Sequence, residues 1–116
     1  MDNTVPVKIA DDDAFTREVS ESTLPVLVEI MASWSGSCHI MEPVIQRMVT
    51  LFENRIKVCI VDMDTNENIA RDYGVSELPI LLFFKAGVIK DHVIGPISAL
   101  ELETRLKSLL CTEGSN

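Results

Sequence analysis

Short apolar runs alternate along this chain with polar segments of helical period, and that alternation predicts nine elements. Val5–Ala10 reads as a first strand, with Pro6 suited to a sheet edge because it cannot donate to a ladder. Asp11, Asp12 and Asp13 then supply a side-chain cap and dipole-complementing charge for a helix with Phe15 and Val19 one turn apart. Leu24–Ala32 is almost continuously apolar, as in a strand covered on both faces, and Glu29 interrupts it. From Gly36 to Phe52, Met41, Val44, Ile45, Met48, Val49 and Phe52 recur at helical spacing, which predicts a long helix with one buried face. Pro43 lies inside that helix and should kink it, since it removes a backbone donor and crowds the preceding turn.

Ile56–Asp62 reads as a third strand, and Asp64-Thr65-Asn66 as the cap of a short helix ending at Tyr73-Gly74. Ile80–Phe84 is a fourth strand; Ala86-Gly87 turns it into Val88–Ile94, an antiparallel fifth. Gly95-Pro96 breaks the pattern. Ser98 and Glu101 have capping-box spacing for a last helix to about Leu110, and Glu113–Asn116 reads as a frayed polar tail. The order β-α-β-α-β-α-β-β-α implies an α/β fold, a central mixed sheet with helices on both faces. No repeat or linker interrupts it, so residues 1–116 are read as a single domain with a core of about 5–110.

Composition narrows the function classes. An apolar fraction of 47% over 116 residues suffices for one compact core. The net charge of −8 argues against nucleic acid, whose phosphates are met by Lys and Arg, and favours solubility. No apolar run nears the roughly 20 residues of a membrane helix. Met1-Asp2-Asn3-Thr4 lacks the basic and apolar regions of a secretory signal. The three cysteines, Cys38, Cys59 and Cys111, are odd in number and widely spaced, which speaks against a disulfide framework or a zinc pair. A reducing, cytoplasmic setting and a monomer are therefore expected. Cys59, inside a strand, reads as a small hydrophobe, and Cys111 as an exposed terminal thiol.

The candidate chemistry begins at Trp34-Ser35-Gly36-Ser37-Cys38, where the long helix starts. Free N–H groups and the helix dipole stabilise an anion there. Ionising a serine hydroxyl at neutral pH still requires on the order of 11 kcal/mol. The helix terminus supplies at most about 2 kcal/mol of that. Ser35 is thus no thiol-exchange nucleophile, whereas serine is among the best N-cap residues. His39 is i+4 from Ser35, close enough to consider a Ser–His dyad, but no orienting acid is evident and no G-x-S-x-G elbow is present. Cys38 and His39 alone are too few ligands for a metal. Glu29, flanked by Val28 and Ile30, is expected to be buried with its pKa raised by desolvation; the alternative turns it outward near a sheet edge.

With Pro43 and the segment Glu77-Leu78-Pro79-Ile80, this passage resembles the thioredoxin family, and the likeness covers about residues 5 to 110. In that family Trp-Cys-Gly-Pro-Cys opens a helix and a cis-proline approaches from another loop. The resemblance implies a thioredoxin fold and thiol–disulfide exchange on protein or peptide partners, with a thioredoxin reductase as electron donor and no cofactor. It puts Ser35 at the attacking cysteine, Cys38 at the resolving cysteine and Ser37 at the intervening proline. It also puts Glu29 at a buried acid that exchanges protons with the resolving thiol. Ile60 stands for that acid's lysine, Met31 for a tryptophan and Ile80 for a threonine. Pro79 would be the cis-proline, and Trp34, Gly36, Leu78, Pro79 and Gly95 the surface for a partner peptide. Cys38 would then be a shielded thiol without an internal partner. Two readings stay open: an oxidoreductase-type protein lacking dithiol turnover because Ser35 holds the attacking position, or a redox-inactive or monothiol peptide-binding module.

Overall fold

The computed structural model describes residues 5–74 and 76–111, so the first four residues and the predicted tail Glu113–Asn116 lie outside the described residues. The elements are β1 (Val7–Lys8), α1 (Asp12–Phe15), β2 (Val26–Met31), α2 (Gly36–Leu51), β3 (Lys57–Asp62), α3 (Glu67–Asp72), β4 (Ile80–Lys85), β5 (Val88–Ile94) and α4 (Ala99–Cys111). They form one five-stranded sheet in the order β1-β3-β2-β4-β5. β3 runs parallel to β1 and β2, while β4 is antiparallel to β2 and to β5.

The apolar periods sort the residues into two layers. Phe15, Val19 and Ile69 of the α1 and α3 side pack with Val28, Ile30, Val61 and Phe84 on one face of the sheet. Met41, Ile45, Met48 and Phe52 of α2, with Leu102 and Leu106 of α4, pack against Leu27, Val58, Leu81 and Phe83 on the other. β2 is the middle strand, buried along almost its whole length, because alternate side chains serve opposite layers.

Three details depart from the pattern. Only Val7 and Lys8 of the first apolar run pair as strand, with the Ile9 amide adding one bond to the Ile60 carbonyl at 2.9 Å. Asp11 does cap α1 by accepting from the Ala14 amide at 2.8 Å, but the helix then widens into a π-helical turn over Thr16–Ser20. Asn66 precedes α3 yet makes no side-chain cap bond. Its Nδ2 instead donates to the carbonyls of Ile9 and Asp62 at 3.2 and 3.1 Å, tying the end of β1 to the turn after β3. Its Oδ1, among the described residues, is buried without a partner. Past α3, Gly74 takes the left-handed conformation expected of a helix stop, with φ 62°.

Candidate functional site

The site grows from the N-terminus of α2. Ser35 is extended, with φ −90° and ψ 119°, and its Oγ accepts from the Cys38 amide at 3.2 Å. Its hydroxyl therefore satisfies one of the free first-turn donors, the work of an N-cap. Gly36 opens the helix with empty space where a side chain would start. One turn in, Cys38 is only 1% exposed.

Trp34 is 67% exposed, yet its indole is not loose: Nε1 donates to Asp64 Oδ2 at 2.9 Å. Asp64 sits in the turn after β3, where its own amide donates to Asp62 Oδ1 at 2.9 Å. Across from this turn the Leu78–Pro79 peptide bond is cis, and the Pro79 carbonyl accepts from the Gly95 amide at 2.8 Å. Gly95 has φ 91°, an angle that calls for glycine, and a Cβ there would come within 3.1 Å of the exposed Glu77 Oε2. Trp34, Ser35, Met63, Ser76, Glu77 and Leu78 together line a depression of about 280 Å³. The structure thus gathers Trp34, Ser35 and Leu78 in one lining, whereas Gly36, Cys38, Pro79 and Gly95 lie outside it, the last two buried and joined by a hydrogen bond. Met63, Asp64 and Glu77 were not foreseen as site residues. Asp64 reads locally as a helix cap, and only the tryptophan 30 positions earlier reveals its role.

His39 does not serve Ser35. Its Nε2 lies 2.7 Å from the Ser33 carbonyl and donates to it, and its Nδ1 is 3.4 Å from Glu42 Oε2. An acid one turn along the helix is present after all, but both ring nitrogens are engaged away from the Ser35 hydroxyl. No dyad is assembled.

Glu29 is 3% exposed in the middle of the sheet, with Ile60 and Leu81 as its strand neighbours. Burial pushes its pKa up to about 7, and the carboxylate of Glu42 adds to the rise. The outward-turned alternative is excluded by that position. Glu29 lines a cavity of about 740 Å³ with Met31, Glu42, Pro43, Ile60 and Asp62, a lining that includes neither Ser35 nor Cys38. Cys59 is wholly buried, its thiol pushed up to about 12 chiefly by desolvation, and Cys111 is exposed. Among the described residues, no three His, Cys, Asp or Glu side chains converge as metal ligands, and no helix is long and apolar enough to cross a membrane.

Comparison with known proteins agrees with this geometry. The family model described as Thioredoxin matches residues 6–108. Thioredoxin of Porphyra purpurea is 37% identical over 99 residues, which covers 85% of this chain and 92% of the relative. Thioredoxin 1 of Nostoc sp. is 36% identical over the same length, with the same coverage of 85% and 92%. Thioredoxin of Rickettsia felis is 39% identical over 84 residues, or 72% of this chain and 80% of the relative.

Proposed function

The chain belongs to the thioredoxin family, and from that premise we propose that it engages protein or peptide partners at the Trp34–Leu78 depression without completing a dithiol cycle. Thiol–disulfide exchange begins when a thiolate attacks a disulfide sulfur, and a second thiol then releases the mixed disulfide. The attacking position holds Ser35, whose oxygen can neither ionise at neutral pH nor form a disulfide with Cys38. Cys38, at the resolving position, has no second thiol beside it. One observation carries the reading: the Ser35 hydroxyl is committed to the Cys38 amide at 3.2 Å while Cys38 itself is 1% exposed. The position at the mouth of the helix acts as a cap.

The partner surface remains. Trp34 is exposed and held by Asp64, and the Leu78–Pro79 loop, tied by a hydrogen bond to Gly95 after β5, adds Leu78 to the same depression. Gly36 adds a helix start with no side chain to obstruct a docking backbone. Partners are protein or peptide segments bearing thiols or disulfides, and a thioredoxin reductase would find no dithiol here to reduce. Glu29 is the buried acid that a restored dithiol would use. We place the chain in the cytoplasm as a monomeric single domain, a setting supported by three cysteines that are all free.

Insulin reduction by the chain beside its Ser35→Cys variant tests the proposal. The parent should stay at the uncatalysed background while the variant turns over. Sustained reduction by the parent would overturn the assignment of Ser35.

A further inference from the structure

Resting on the groove assigned above, we infer that the partner segment is basic: Glu77 and Asp64 give the depression an acidic rim that selects Lys or Arg beside the residue docked on Trp34. Glu77 is exposed, has no ion-pair partner among the described residues, and places Oε2 over Gly95, 3.1 Å from where a side chain would begin there. Asp64 uses Oδ2 to hold the Trp34 indole, and its other oxygen takes no partner among the described residues. One carboxylate therefore holds the exposed ring and the other shares the depression with it.

No cation answers them within the lining, which is Trp34, Ser35, Met63, Ser76, Glu77 and Leu78. The adjoining hollow holds Arg71, but its guanidinium donates to Asn68 Oδ1 at 2.9 Å and shares that hollow with Glu67. On the α2 side, His39 is engaged by Ser33 and Glu42. The whole chain carries −8, so its long-range field has the same sign as the rim. Such a rim speeds encounter with a cationic segment and repels an acidic one, which makes it a specificity device more than a source of affinity.

The sole tryptophan provides the readout, because Trp34 stands in the groove. Its fluorescence is titrated with short peptides that share one apolar, cysteine-containing centre and differ in lysine, glutamine or glutamate flanks. The lysine-flanked peptide should bind about two- to fivefold tighter than the glutamine-flanked one for each carboxylate it reaches. Raising salt to about 0.5 M should erase the difference, since the Debye length then falls to a few ångströms. Glu77→Gln should shrink the preference, and Glu77→Lys should shift it toward the glutamate flanks. Equal affinity for the lysine and glutamate peptides, or a preference that Glu77→Lys leaves unchanged, would overturn the inference while the groove assignment stands. If Trp34 emission responds to none of the peptides, the groove assignment falls with it.

Discussion

Glu29 occupies a place where a carboxylate is costly, and it meets that cost by holding its proton to higher pH. Its pKa is about 7 in the fold against an ordinary 4.5, because burial disfavours the charged form and the Glu42 carboxylate adds to the rise. The folded state therefore binds a proton that the unfolded chain has already released, and stability falls as pH rises from about 4.5 to about 7. Above that window the loss is complete, on the order of 3 kcal/mol. Glu29→Gln should abolish this slope and leave the variant more stable than the parent at pH 8, as urea denaturation across pH would record. Parallel profiles for the two proteins would show that Glu29 titrates normally. The cysteines give a second expectation at this scale. Under brief iodoacetamide treatment at neutral pH, Cys111 should be alkylated well before Cys38 and Cys59, which are 1% and 0% exposed. Peptide mass mapping would read the order, and fast labelling of Cys38 would contradict its shielding.

Among the elements, the helices follow the sequence most closely. The period of α2 sets its buried face, and its cap is legible because Ser35 and the Cys38 amide are one turn apart. Asn66 shows where local reading fails. It has the type and position of a cap, yet its amide serves the Ile9 carbonyl, 57 residues away in the chain. Asn66→Ala should deprive the Ile9 carbonyl of its buried donor, while the Asp62 carbonyl keeps Thr65, and cost about 1–3 kcal/mol. Chemical denaturation would measure it, and a loss under a few tenths would mean that the clamp is dispensable. The Ser98–Glu101 box is likewise half formed: Ser98 accepts from the Glu101 amide at 3.1 Å, while the Glu101 carboxylate turns to Arg105 at 3.2 Å. A cation one turn along the helix competed for that side chain.

At the scale of the molecule, the groove is the meeting of the start of α2, the turn after β3, the loop before β4 and the end of β5. Ser35→Cys places a thiol in that setting, so restored insulin reduction would test the assembled groove as well as the single atom. The residue types, their periods and their neighbours were enough to predict the element order, the mixed sheet between two helical layers, the caps at Asp11 and Ser35, and the lack of a dithiol. These depend on identity and on spacings within a few turns. Tertiary structure alone decided that His39 turns from Ser35 to Ser33 and Glu42, that Asp64 holds Trp34, that Glu77 stands over Gly95, and that Glu29 is walled in beside Glu42. Each of those depends on distances and desolvation between side chains brought together by packing, which no local period encodes.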